Sequence, residues 1–251
     1  MESKLQIETD EKINASQANV NNEWLIATGL LLAYSLLNIM MPAGAAFLYK
    51  WFNPTTQMGD AQSFIAILVT ITPIAIFAIL AYLYKKMMKE VPFRWSQFKV
   101  KDIGIGVLTT IFIVLVNGII SIIGEQFSYA SSSDNQETIN ELGLSFPILI
   151  FVATVLIAPV VEEFFYRKLI MGHIFKHYAK TGLVISSILF GLSHFTIESL
   201  TANFNPFNIL SYVVMGFFFG LVYYITKRIE ASIMAHLMNN LMVTVFYLIV
   251  M

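Results

Sequence analysis

The sequence predicts an all-α fold, a polytopic membrane bundle of about seven transmembrane helices, and three observations predict it. The chain is 57% hydrophobic and only 12% charged, whereas a soluble domain carries about 25% charged residues, so most of this surface cannot face water. Its apolar residues gather into runs of roughly 20, long enough at about 1.5 Å of rise per residue to cross a bilayer core. Its lysines and arginines collect in alternate loops between those runs, the pattern that orients membrane proteins.

The expected spans are residues 24–49, 63–84, 103–124, 146–166, 182–197, 207–226 and 231–251, the fifth being short. They form a single transmembrane domain over 24–251, behind a polar tail at 1–23. A cleaved signal peptide places a short basic segment directly before its apolar core. The charged stretch up to Glu23 does not fit that pattern and reads as a flexible tail.

Orientation follows from the loops. Lys85, Lys86, Lys89, Arg94, Lys99 and Lys101 lie between spans two and three. Arg167, Lys168, Lys176 and Lys180 lie between four and five, and Lys227 and Arg228 between six and seven. Seven alternating helices put all three loops, with Lys4 and Lys12 of the tail, on one side. Residues 125–145 carry Glu125, Asp134, Glu137 and Glu141 and no basic residue. The expected location is the cell membrane, multi-pass, with the N-terminus cytoplasmic.

Composition also excludes. A chain without cysteine forms no disulfide, thiolate metal site or cysteine nucleophile. A net charge of −1 offers nothing to a nucleic acid, so the expected partners are the lipid bilayer and a membrane-associated peptide or protein. No internal repeat of the inverted-topology transporter kind stands out. Pro42, Pro73 and Pro159 fall within spans, where each removes a backbone donor. Pro159 frees the carbonyl of Val155 just ahead of two glutamates and is able to bend them inward. Gly216 and Gly220 have the small-xxx-small spacing of close helix packing.

Ionisable groups in a membrane span are costly, roughly 2.5–3.5 kcal/mol each at mid-helix, and mark a task or a partner. Glu162 and Glu163 stand near the end of the fourth span, with Arg167 one turn later. On a helix, residues four apart differ by about 40° and neighbours by about 100°. Glu163 and Arg167 therefore share a face and can pair, while Glu162 points elsewhere, with Tyr166 one turn below. The fifth span carries Phe190 and His194 and the seventh His236 and Asn240, each pair one turn apart. At about 1.5 Å per residue His194 lies about 18 Å into its span, and His236 and Asn240 about 8 and 14 Å into theirs. The expected meeting place is a common space in the cytoplasmic half of the membrane.

A carboxylate and two imidazoles suffice for peptide hydrolysis without a covalent intermediate. The carboxylate, helped by one imidazole, holds a water and takes its proton, while the other imidazole and the amide donate to the developing oxyanion. Glu162, His194 and His236 are equally able to hold a divalent metal such as zinc with water as fourth ligand. The sequence does not choose, as no HExxH motif is present.

The arrangement resembles the CAAX-protease and bacteriocin-processing family of intramembrane proteases, also called Abi. Glu162 to Arg167 match its EExxxR motif, Phe190 to His194 its FxxxH motif and His236 to Asn240 its HxxxN motif, in order and within 146–251. The resemblance implies an intramembrane endopeptidase in which Glu162 and His194 activate the water, His236 and Asn240 form the oxyanion site, and Glu163 with Arg167 supports them. The same family includes members tied to bacteriocin immunity or regulation, so a non-catalytic scaffold binding a bacteriocin or a sensor kinase is the alternative. A proton-relay transporter is a third. His173 and His177, with Lys176, read as solvated or lipid-facing groups of a basic loop. Asn117 reads as an interhelical hydrogen-bonding residue, Glu198 as solvated, and Asn239 has no assigned role.

Overall fold

The computed structural model describes residues 22–37, 51, 62–129, 133–195 and 204–250. Among these residues the chain is helical, in eight helices: α1 (Asn22–Leu37), α2 (Gln62–Met88), α3 (Lys101–Gln126), α4 (Asp134–Ser145), α5 (Pro147–Ile174), α6 (Ala179–Leu192), α7 (Pro206–Thr226) and α8 (Ile229–Val250). Segments of α2, α3, α5, α7 and α8 are long and apolar enough to cross a membrane, and α1 and α6 are shorter apolar helices. The protein is thus a helical membrane bundle. Pro42, Glu198, most of the tail and the far end of the first expected span lie outside the described residues.

Large apolar side chains are exposed along the outer faces, among them Leu115, Ile119 and Ile122 of α3. In water such a face would be untenable; against lipid it costs nothing, and cohesion then comes from close packing. Gly216 and Gly220 supply part of that packing. A Cβ on Gly220 would come within 2.6 Å of Leu183 Cδ1, and one on Gly216 within 3.0 Å of Phe190, so the pair lets α7 close onto α6 as its spacing predicts.

Two cores flank α5. Phe164, Phe165, Val161 and Leu169 pack against Ala27, Leu30, Ile76, Leu80 and Tyr84 of α1 and α2. Phe190, Phe219, Val222, Ala231, Ala235 and Ile113 join α3, α6, α7 and α8.

The basic loops do meet at one end. Arg228 forms a two-pronged pair with Asp102, each N–O distance 2.6 Å, and donates to the carbonyl of Gln97 at 2.9 Å. The backbone N–H of Arg94 donates to Glu230 at 2.7 Å, and Lys168 pairs with Glu90.

Four sequence expectations need correction. Span four does not end at Tyr166: α5 continues to Ile174, so Arg167, Lys168 and His173 are helix residues. Arg167 is wholly buried, and a charge with a buried partner does not have to mark a helix end. His173 is not solvated: its Nε2 lies 2.9 Å from the Tyr84 hydroxyl and its Nδ1 3.4 Å from Glu23. Span five is the half-length α6, ending at Leu192, so that His194 stands in the turn beyond it. Finally, residues 125–145 are not all loop. Ser133 caps α4 by accepting from the N–H of Gln136, the start of a Ser-x-x-Gln pattern that marks helix N-termini.

Candidate active site

The site is assembled on α5. Its middle departs from α-helical hydrogen bonding: Val152–Ile157 is π-helical, a short α-helical stretch Ala158–Glu163 follows, and Phe164–Ile174 is π-helical again. A π turn widens the hydrogen-bonded ring by one residue and is common at functional sites. Pro159, which has no N–H to give Val155, is the second residue of the α-helical piece that follows the first of these stretches. The two glutamates occupy the last positions of the α-helical piece, near the middle of α5 and not at its end. The site is therefore deeper than the sequence reading placed it.

Glu163 is fully buried and fully partnered. Its Oε2 accepts from Arg167 Nε at 2.8 Å and from the Ser232 hydroxyl, and its Oε1 lies 3.1 Å from His236 Nδ1. Arg167 reaches on to the Ser186 hydroxyl, which itself donates to the carbonyl of Tyr166 at 3.1 Å. The remaining guanidinium edge has no hydrogen-bond acceptor. The guanidinium carbon lies 5.7 Å from the centre of the Phe190 ring and 5.9 Å from that of Tyr166, a spacing at which an aromatic ring attracts a cation.

Glu162 points the other way, into a cavity of about 770 Å³ lined also by His194, His236, Tyr166, Asn239 and Asn240. Leu31 and Tyr34 of α1, and Gln136 and Ile139 of α4, complete its walls. Because α4 lies at the end away from the basic loops, the cavity extends from mid-bundle toward that end and is not confined to the basic half. Glu162 Oε2 is buried without a hydrogen-bond partner. It faces His194 Nε2 at 3.8 Å and His236 Nε2 at 3.9 Å.

Each imidazole is pinned by one edge and one face. His194 Nδ1 is 2.8 Å from the carbonyl of Phe190, and its ring stacks on Tyr212 with centroids 4.4 Å apart. His236 Nδ1 faces Glu163, and its ring stacks on Phe219 at 4.3 Å. A carbonyl and a carboxylate only accept, so both Nδ1 atoms carry a hydrogen, and both Nε2 atoms are turned toward Glu162. Phe190 lies against both rings, at 4.7 and 5.6 Å, which accounts for its place in the FxxxH spacing.

Asn240 lines the same cavity and gives an amide hydrogen to the carbonyl of Thr154 at 2.9 Å, in the first π-helical stretch. Its Oδ1 accepts from Asn239 at 3.3 Å. All six residues singled out from sequence are thus present: Glu162, His194 and His236 face one another, Asn240 lines the wall, and Glu163 and Arg167 lie behind. Asn117 makes its interhelical contact, donating to the carbonyl of Ser211 at 3.4 Å. The sequence reading missed Ser186 and Ser232, and it missed Tyr212 and Phe219. Two lone hydroxyls on apolar helices were the available signal for the serines. Glu162, His194 and His236 are donor types that zinc accepts, but among the described residues no group of three His, Asp or Glu is spaced to hold a metal ion.

Residues 144–242, which contain every one of these groups, match the family described as Type II CAAX prenyl endopeptidase, Rce1-like. The chain is 32% identical over 242 residues to YdiL of Bacillus subtilis strain 168, provisionally assigned as a membrane peptidase, covering 90% of this chain and 88% of YdiL. It is 31% identical over 125 residues to MroQ, the membrane-embedded CAAX protease of Staphylococcus aureus strain USA300, covering 47% of this chain and 46% of MroQ. It is also 26% identical over 212 residues to the UPF0177 protein YvdC of Lactococcus lactis, covering 84% of this chain and 74% of YvdC. No solved structure matches the chain. The family match and these relatives make this multi-pass bundle, as a class, an intramembrane peptidase. The chain belongs to the Rce1-like CAAX prenyl endopeptidase family.

Proposed function

We propose that the protein hydrolyses a peptide bond of a membrane-associated protein or peptide with a water held by Glu162 and His194, beside an oxyanion site at His236 and Asn240. One observation carries this reading. Glu162 Oε2 and His194 Nε2 face each other at 3.8 Å, with His236 Nε2 3.9 Å from the same carboxylate oxygen, separations too long for direct hydrogen bonds. A water about 2.8 Å from Glu162 Oε2 and from His194 Nε2 fits their separation and gives one hydrogen to each.

Glu162 then takes a proton as the water oxygen bonds to the substrate's carbonyl carbon, with His194 holding the water in line. The carbonyl oxygen becomes an oxyanion. His236, protonated at Nε2 from solvent when the substrate is bound, donates to it and keeps that proton as the intermediate collapses, and the Glu163 carboxylate behind Nδ1 steadies the imidazolium. The second amide hydrogen of Asn240 is the other donor. As the C–N bond breaks, Glu162 passes its proton to the leaving nitrogen, and the products are a carboxylic acid and an amine. Arg167, Ser186 and Ser232 touch no reacting atom; they hold Glu163, and through it His236.

The end where the basic loops meet is the cytoplasmic side on the Lys/Arg rule, which places Asn22 and the tail before it in the cytoplasm. The family is described as a CAAX prenyl endopeptidase, so a prenylated CAAX peptide is the first substrate to offer. The decisive test does not require knowing the substrate. Membranes of cells producing the wild-type protein or Glu162→Gln are compared by mass spectrometry of released peptides. The account expects peptides that appear only with the wild type. Identical peptide sets from two equally abundant proteins would transfer support to a non-catalytic scaffold.

A further inference from the structure

We infer that Tyr212, which lies outside all three motifs, is a positioning residue for His194, and that its hydroxyl couples that histidine to α4. The inference rests on the reading of His194 as a residue that holds the attacking water.

The two histidines pose the same mechanical problem. An imidazole turns about two torsions, so one hydrogen bond at Nδ1 fixes an edge but leaves the ring free to swing about it. A second restraint, on the ring face, is needed before Nε2 can be aimed. For His236 that restraint is Phe219, nearly parallel at 15° and 4.3 Å. For His194 it is Tyr212, at 21° and 4.4 Å. His194 has the greater need, because it stands in the turn beyond the end of α6 and not within a helix.

The two ring partners differ in one atom. Phe219 ends in a C–H, whereas Tyr212 carries a hydroxyl 3.0 Å from the Ser133 hydroxyl. Ser133 is buried and is the N-cap of α4, accepting from the N–H of Gln136 at 3.2 Å. Gln136 and Ile139 of that helix line the catalytic cavity. A single run of contacts therefore joins the helix that walls the cavity, its capping serine, the tyrosine and the imidazole. A displacement of α4 by an occupant of the cavity pulls on the plate that orients His194. This makes water activation at His194 dependent on the placement of a cavity wall.

The test reads the imidazoles directly and needs no substrate. The chain contains four histidines, so protein labelled with 13C at the histidine Cε1 gives four resonances in detergent micelles, and His194→Gln and His236→Gln assign the two that matter. Stacking on Tyr212 shifts the His194 Cε1–H signal upfield through the ring current. In Tyr212→Leu that signal moves downfield while the His236 signal stays in place, which also reports that the bundle is folded. Tyr212→Phe keeps the ring and most of the upfield shift. Ser133→Ala changes the His194 signal at least as much as Tyr212→Phe does, because it removes the cap of α4 as well as the bond to Tyr212, and adding Tyr212→Phe to Ser133→Ala changes nothing further.

On a peptide that the wild type releases and Glu162→Gln does not, Tyr212→Leu lowers kcat at least about tenfold with KM little changed, as misaiming a group that acts in the chemical step requires. Tyr212→Phe retains most of kcat. A His194 signal that is unmoved in Tyr212→Leu overturns the inference. So do independent, additive effects of Tyr212→Phe and Ser133→Ala, even where Tyr212→Leu fails to fold. Loss of kcat in Tyr212→Phe equal to that in Tyr212→Leu also overturns it, because the hydroxyl would then be acting on the reaction. If no peptide is released by the wild type, the proposed function fails while the resonance test still decides the placement of His194.

Discussion

Glu162 and Glu163 are neighbours in sequence with opposite surroundings. Glu163 has no exposed surface and satisfies both oxygens with Arg167, Ser232 and His236. Glu162 is partly open to the cavity, and one of its oxygens has no partner. A carboxylate with both oxygens engaged and no exposed surface is out of reach of a reacting proton and its removal strands a buried guanidinium, whereas the Glu162 oxygen without a partner faces the cavity. The rotation of about 100° between consecutive helix positions turns Glu163 into the packed interior and Glu162 into the cavity, and the proposed mechanism gives the first a structural and the second a chemical task.

His236 spans both regions, with Nδ1 on Glu163 and Nε2 facing Glu162, so its loss gives the largest expected effect. His236→Leu should reduce turnover by about 10²–10⁴-fold, the range for general acid–base groups. It should also cost about 1–3 kcal/mol of stability by removing a partner from a buried carboxylate. Turnover without a change in the thermal midpoint would separate the two regions that His236 is held to join. Glu163→Gln or Arg167→Gln alone should cost about 3–5 kcal/mol, as a buried charge is left without its counter-charge, and the double variant should recover part of it. Protein accumulation and thermal midpoints in detergent check this; additive losses would mean the pair is not coupled.

A smaller effect is expected for Ser232→Ala, about 1–2 kcal/mol and a modest loss of turnover, because Arg167 and His236 still hold Glu163. The smallest belongs to the basic end. Burial alone would push the Glu90 carboxyl up, but the hydrogen bond and charge of Lys168, with the Tyr84 hydroxyl, outweigh it and hold the carboxyl below its usual range. A carboxyl lowered on folding adds stability above its unfolded-state pKa and loses it as pH falls through the folded-state value. Thermal midpoints between pH 7 and pH 3 should therefore fall more for the wild type than for Glu90→Gln. Parallel curves would contradict this.

Much of this was legible in the sequence because it depended on periodicity and on the cost of charge in lipid. The split between Glu162 and Glu163, the meeting of His194 with His236 and the shared end of the basic loops all follow from those two rules. What escaped had other causes. Arg167 was read as a loop residue because charge was taken to mark a boundary, yet a buried partner lets the charge stay inside the helix. The two π-helical stretches leave no apolar signature, and they carry α5 on to Ile174. Helix α4 was too polar to register as a span, although its Ser133-x-x-Gln136 start was present to be read. Tyr212 and Phe219 were lost among 21 Phe and 11 Tyr, since a ring that aims a histidine looks in sequence like one that fills a core.

The most direct test of the account sets Glu162→Gln beside Glu163→Gln in the same reconstituted vesicles, recording peptide release and thermal midpoint for each. The account predicts that Glu162→Gln keeps the wild-type midpoint and loses release by about 10²–10⁴-fold, while Glu163→Gln lowers the midpoint sharply. Release near the wild-type rate from a folded Glu162→Gln protein would contradict it, and the chemistry would have to be sought elsewhere in the cavity.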